Sequence, residues 1–490
     1  MKRLLYTAVL CLFSVCAFAQ NQLVKISVDR FTNTDSVHRT EVEPDTFAWG
    51  STIVSAFHVA RRPGNVGWGS ADVGFATSTD GGATWHFGNL PGLTVNFKNG
   101  PYGAAADPSV AYDAKHAVWL ISTLPLAGLG NDNLIGDVAV SRSADGLHWS
   151  NPIPIDTTHL DDKNWTVCDN TPTSPFYGNC YTEWDQAFGS GDILVSTSSD
   201  GGLTWSRGVA SADHAFGLGG EPVIQPNGNV IVPFEGFAIE ATTSTDGGKT
   251  FARSVTISNI NQHGEAGGFR NPNLPSVEID GAGKVYVVWS DCRFRAGCKS
   301  NDIVMSTSTD GSNWTPAARI PIDPLTSTVD HFIPGIGVDP ATSGDTAHLT
   351  LVYYFFPVSS CGNSCQLDVG YVTSADGGQT WTAGKKIAGS MQLKWLPLSD
   401  NGYMVADYIS VSYTNGNAFP VFAVAKPPVG STLDEAMYTT KNPLTSSPDE
   451  PRFSSKDEKP IPGAKSDFNR KVYYDDEGRR EIPKSRMKQR

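Results

Sequence analysis

After residues 4–18 the 490-residue sequence has no long apolar run, and nothing else in it approaches the ~20 apolar residues of a membrane-spanning helix. Membrane insertion of the mature chain through helices is therefore not expected. G-x-S-x-G, P-loop and dinucleotide fingerprints are absent from any strand-to-helix setting, which removes the chemistries those motifs carry. Histidine is scarce, ten in all, and shows no metal-ligand spacing; the cysteines lack the paired C-x2-C arrangement of tetrahedral zinc. Asn131 to Asp137 faintly resembles a calcium loop but lacks the acidic ligand at its final position. No cofactor is expected, with calcium kept as the alternative.

What is present begins with Lys2 and Arg3, the apolar run, and Ala17-Phe18-Ala19, an A-x-A cleavage site. Residues 1–19 read as a signal peptide and the mature protein as secreted, extracellular or periplasmic. A lipoprotein acylated at Cys16 is the poorer alternative, because Val15 stands where a small residue is wanted. Two of the eight cysteines leave with the leader. The other six form close pairs, Cys168 with Cys180, Cys292 with Cys298 and Cys361 with Cys365, each bracketing a short loop, as local disulfides of an oxidising compartment do.

Charge divides the chain. Of 37 Lys+Arg and 50 Asp+Glu, residues 441–490 carry 13 and 9; with Lys2 and Arg3 also set aside, residues 20–440 keep 22 and 41, a net of −19. Such a surface repels phosphate backbones and anionic membranes, so nucleic acid is not an expected partner. The tail, with six prolines and clustered charges such as Asp475-Asp476-Glu477, is expected to be disordered. The chain thus reads as a leader over 1–19, a folded unit over 20–440 and a charged tail over 441–490.

The folded unit repeats an octet, Ser78-Thr79-Asp80-Gly81-Gly82-Ala83-Thr84-Trp85. Near copies centre on Asp145, Asp200, Asp246, Asp310 and Asp376, roughly 45 to 65 residues apart. Each is built as a tight hairpin: the carboxylate accepts N–H bonds of its own turn, glycine supplies positive φ, and Trp or Phe opens the next strand. Short β-prone runs such as Ile193-Leu194-Val195-Ser196-Thr197 precede them. The pattern implies an all-β propeller of four-stranded antiparallel blades. Seven strand openings, around Asp45, Asp107, Asp162, Glu221, Asn271, His331 and Asp407, set the blade number at seven, with six as the runner-up. Leu23 to Val28 is available as an extra strand for the last blade, which would remove an exposed edge.

The octet resembles the Asp box, or BNR repeat, of the sialidase-like superfamily, and the resemblance spans nearly the whole mature chain, as in exported bacterial Asp-box proteins. It implies that the six boxes are structural hairpins on the face away from any catalytic centre. The strand openings would then ring the other face, as a ligand or cation site or as caps for turn N–H groups.

Sialidase chemistry needs arginines that clamp a carboxylate bidentately, an acid, and a tyrosine nucleophile activated by glutamate. The family's F-R-I-P motif opens the propeller; here its nearest match, Gly268-Phe269-Arg270-Asn271-Pro272, stands in the fifth unit, followed by Asp291-Cys292-Arg293-Phe294-Arg295. The resemblance assigns Arg270, Arg293 and Arg295, with Asp45 and Asp407, to substrate binding, Asp107 or Asp162 to proton transfer, and Tyr408 near Glu221 or Asp45 to nucleophilic attack. The competing reading pairs Arg270 and Arg293 with Asp291 or Glu278 as structural ion pairs. Trp49, Trp68, Trp165, Trp184, Tyr102, Phe176 and Tyr177 lie outside the boxes, as stacking platforms for sugars or peptides or as blade packing. The expected function is an exo-glycosidase of sialidase type, a possible glycoside hydrolase acting on an extracellular glycan or glycoprotein as a monomer. The alternative is a non-catalytic carbohydrate- or protein-binding propeller.

Overall fold

Strands account for nearly all the regular structure; the helical pieces among the described residues are single 3-10 turns. The computed structural model describes residues 22–63, 68–127, 135–158, 161–187, 190–445 and 449–464. The expected leader and the end of the tail lie outside them, as do residues 131–134 of the calcium-like loop.

Five sheets are four-stranded, and a nine-stranded sheet holds two further four-strand meanders joined by pairing of Ser70 with Ala105. In chain order the meanders begin with the strands Glu41–Trp49, Ala104–Asp113, Asp162–Cys168, Val223–Ile224, Ser276–Ile279, Asp330–Val338 and Ser410–Thr414. These first strands lie side by side in that order, and the last lies against the first. The final sheet takes its outer strand from the other end of the chain, where Leu23–Lys25 pairs antiparallel with Thr440 to Tyr438. The two ends thereby cover what would be a free edge.

Apolar side chains fill the space between neighbouring sheets. In the largest cluster Phe57, Phe332, Phe356 and Phe422 are each 0–1 % exposed and join the first sheet to the last two. Each buried ring of this kind contributes roughly 1.5–3 kcal/mol.

Each repeated octet makes the turn its residues demand. Asp80 accepts the Thr84 N–H at 2.8 Å and the Thr84 hydroxyl at 2.6 Å, while Ser78 Oγ accepts the Gly82 N–H at 2.8 Å. Gly82 has φ 90°, where a side chain would be strained and would also strike Phe419. Asp200, Asp246 and Asp376 repeat the bonds to a threonine four residues on. At Asp145 and Asp310 the turn is one residue shorter, and His148 and Asn313 replace the threonine. Hydrogen bonding lowers Asp80 and Asp310 to about 2.

The three disulfides form between the expected partners, Cys168–Cys180, Cys292–Cys298 and Cys361–Cys365. The tail differs from expectation over its first part. Arg452–Phe453 pairs with Trp381–Thr382, the Ile461 N–H donates to the Arg293 carbonyl at 2.8 Å, and Glu458 meets Arg319 at 3.2 Å. Glu450 likewise pairs with Lys385. Charges that suggested a solvated segment are matched by opposite charges on the sheets.

Candidate functional site

Four of the first strands carry a bulge, with register shifts between Val42 and Asp45, Ala106 and Ser109, Asp162 and Trp165, and Phe332 and Pro334. Within them Glu43, Asp107, Lys163 and Ile333 sit at φ 54°, 43°, 53° and 47°. A non-glycine residue held there costs about 1–3 kcal/mol and persists only where its surroundings impose it. Pro44, Pro108 and Pro334 follow three of them, and proline brings no N–H for the bulge to orphan.

The bulges turn Glu43, Asp107 and Lys163 into one cavity of about 60 Å³. Lys163 Nζ lies 3.3 Å from Asp107, 3.7 Å from Glu43 and 2.6 Å from Asp407. Arg270 grips Asp407 with two nitrogens, Nε donating to Oδ1 at 2.6 Å. His58, on the second strand of the first meander, stands 2.9 Å from Glu43 and accepts the Asp107 backbone N–H on Nε2 at 2.8 Å. Arg61, Asp161, Asp162, Asp400 and Asn401 complete the polar wall. Trp68, Ala106, Leu124 and Leu126 add apolar surface to the lining.

Burial raises both Glu43 and Asp107 above the usual carboxylate range, opposed chiefly by Lys163. It lowers His58 to about 3. Burial also works against charge on Lys163 and Asp407, but the facing charges win: Asp107, Asp407 and Glu43 hold Lys163 well above its ordinary value, and Arg270 with Lys163 hold Asp407 well below its own. Asp161 is pushed to about 9 by burial and by the acids Asp156, Asp185 and Asp137.

Of the residues proposed from sequence, Asp107, Asp162 and Arg270 line this cavity, and Asp407 stands behind it bound to Arg270 and Lys163. Asp45 and Glu221 do something else. Asp45 accepts the Val110 N–H and Glu221 the Val277 N–H, each at 2.7 Å, stapling a first strand to its neighbour. Tyr408 is buried on Trp165, its hydroxyl 3.4 Å from the Pro108 carbonyl, and burial raises it well above 10. No carboxylate takes its proton among the described contacts, so the tyrosine–glutamate pair of a sialidase is not assembled there.

Arg293 pairs with Asp291 at 2.7 Å, away from the cavity. Arg295 joins Arg319, Asp302, Asp323 and His331 in a second buried cluster. Glu43 with His58 and Asp107, and Asp302 with Asp323 and His331, are each spaced to hold a metal ion. Neither donor set fits a dication well, because Lys163 already neutralises the first and two arginines the second. Of the aromatics, Trp68 lines the cavity and donates to Asp400 at 3.1 Å, Trp184 is fully buried, and Trp49 stacks on Tyr112.

Sequence reasoning missed Glu43, His58, Arg61 and Lys163. The Glu43-Pro44 and Asp107-Pro108 dipeptides could have signalled the bulges; nothing singled out His58 or Arg61.

No family model matches the chain. A protein described as a sialidase from Bacteroides fragilis (strain YCH46) is 29 % identical over 161 residues, 27 % of this chain and 28 % of that protein. The chain therefore aligns with little more than a quarter of that relative's length. Among solved structures, an ulvan lyase of a polysaccharide lyase family bound to its sugar has a TM-score of 0.48 at 11 % identity, over 86 % of this chain and 96 % of that one. The intramolecular trans-sialidase from Ruminococcus gnavus in complex with oseltamivir carboxylate has a TM-score of 0.42 at 14 % identity, over 89 % and 99 %. The chain is similar to proteins of the sialidase-like superfamily.

Proposed function

We propose that the protein is a secreted, seven-bladed β-propeller that cleaves a glycosidic bond of an extracellular glycan at the Glu43–Asp107–Lys163 cavity. The observation that carries this reading is the set of three consecutive bulges, each holding a charged residue at positive φ and aiming it into one cavity. Such strain clusters at functional sites, and here three of the four bulges aim a charged residue into the cavity while the fourth places Ile333 in the core. Seven blades are supported by the ring of first strands, and export by the three disulfides.

Glu43 and Asp107 are hydrogen-bonded to each other and both face Lys163, so they act as one proton-sharing acid. That acid protonates the glycosidic oxygen as the bond to the anomeric carbon breaks. Water adds to that carbon from the face away from the acid, and Asp162, which also lines the cavity, takes the water's proton. Lys163 keeps the remaining charge on the pair compensated, and His58, uncharged, orients Glu43. Arg61 and Arg270 favour a substrate that carries an anion.

The test is hydrolysis of a panel of fluorogenic glycosides, sialosides included, by the full mature chain, with and without calcium. Turnover that falls at least ~100-fold in Asp107→Asn is expected, the usual scale of a lost general acid. Silence across the panel from folded protein would favour the second reading, a glycan-binding propeller without turnover. The pairing of Arg270 with Asp407 speaks for that alternative, since the arginine is already occupied.

A further inference from the structure

A second cavity, of about 360 Å³, shares no lining residue with the first. The first is the smaller, at about 60 Å³. The second falls in the ~300–1,000 Å³ range of small-molecule sites. One hairpin divides them: Leu398–Ser399 pairs with Gly402–Tyr403, its turn residues Asp400 and Asn401 lining the first cavity and Tyr403 the second. The Arg270 N–H, beside the hairpin, donates to the Tyr403 carbonyl at 2.9 Å. Asn401 and Tyr403 are two residues apart, at most about 7 Å of chain.

The geometry points to a second sugar subsite in this larger cavity, taking the ring next to the one cleaved; it rests on the reading of the first cavity as a glycan site. Gln366 and Gln392 stand opposite each other across paired strands, so two amides present donors and acceptors side by side, as vicinal hydroxyls require. Tyr403 offers a ring for the C–H face of a sugar. The disulfide Cys361–Cys365 closes the 3-10 turn that brings in Asn363, so this wall is held before ligand arrives. Among the described residues, Lys394 is the one charged side chain lining the cavity. The ring bound here therefore carries hydroxyls and accepts an acidic substituent more readily than an amino group.

The test is equilibrium binding of the full mature chain to a printed array of galacto-, gluco- and chito-oligosaccharides of one to four rings, with uronate and sialylated counterparts. Binding is expected to strengthen at least tenfold from one ring to two, with that gain removed in Gln366→Ala/Gln392→Ala whose thermal unfolding matches wild type. A gain that survives the double substitution overturns the subsite. The two readings separate through Arg270→Lys: loss of all binding there supports both cavities. A ring-number gain that persists in Arg270→Lys but is lost in the double variant keeps the subsite and removes the first cavity from glycan binding. No binding to any probe overturns both.

Discussion

The exposed aspartates of the repeated turns and the buried carboxylates of the first strands are the same chemistry under opposite conditions. Asp80 sits in water with its oxygens filled by Thr84, and hydrogen bonding lowers it to about 2. Asp45 accepts the Val110 N–H too, yet burial raises it to about 7. Local bonds decide the protonation state at the outer turns; desolvation decides it along the first strands. The outer turns can therefore be charged, repeated and independent. The inner residues are bound to one another through Lys163, Asp407 and Arg270, so a change at one reaches the rest.

The largest effect expected from breaking this contrast is at Lys163. Replacing it with Met leaves Glu43, Asp107 and Asp407 facing each other with Arg270 as the nearest compensation, and the loss should be about 3–5 kcal/mol in urea unfolding. A loss below about 1 kcal/mol would mean that the inner charges are not coupled.

Stability against pH separates the two regions next. Glu41, Asp45 and Glu278 are raised to about 8, 7 and 8 by burial, so their contribution is full below the unfolded carboxylate value near 4 and is lost as pH rises to 7–8. The turn aspartates, lowered in the folded state, contribute above that value and lose their effect as pH falls toward 2. Tm should therefore be higher at pH 5 than at pH 8. Glu435 sharpens the point: it is fully buried, and neither oxygen finds a hydrogen-bond partner among the described residues, with Glu41 the nearby charge that adds to its raised value. Glu435→Gln should gain about 1–3 kcal/mol at pH 8. An equal gain at pH 4 would show that charge is not the cause.

Smaller still is Asp80→Ala, expected to cost about 1 kcal/mol as a lost cap and to leave turnover unchanged. Truncation after Thr445, which keeps the buried Leu444, removes the Arg319–Glu458 pair and the short Arg452–Phe453 pairing, for about 1 kcal/mol or less from the ion pair. Tm under both changes checks the claim that the outer face is a set of separable contacts.

The same contrast explains what could be read from sequence. The turns were legible because each is local: serine, aspartate, glycine and the following threonine, histidine or asparagine, within seven residues, supply the bonds. The disulfides were legible for the same reason, and the N-terminal strand because its β-prone run had an edge to cover. The inner site was only half legible. The strand openings marked the right strands, but each bulge turns the chain, so Glu43 reaches the cavity while Asp45 staples the next strand. In the third meander Lys163 takes the place expected of Asp162 as the inward charge, while Asp162 stays on the wall. Arg270 finds Asp407 across 137 residues, a partner no spacing rule suggests. Alternation predicts facing only until a bulge resets it.

The most direct measurement is kcat/KM of Glu43→Gln on whichever fluorogenic glycoside the wild-type chain cleaves, with thermal unfolding recorded alongside. A fall of at least ~100-fold with folding intact is the result predicted for a member of the proton-sharing pair. Turnover within about threefold of wild type, less than 1 kcal/mol of barrier, would contradict it and move the chemistry away from the bulged strands.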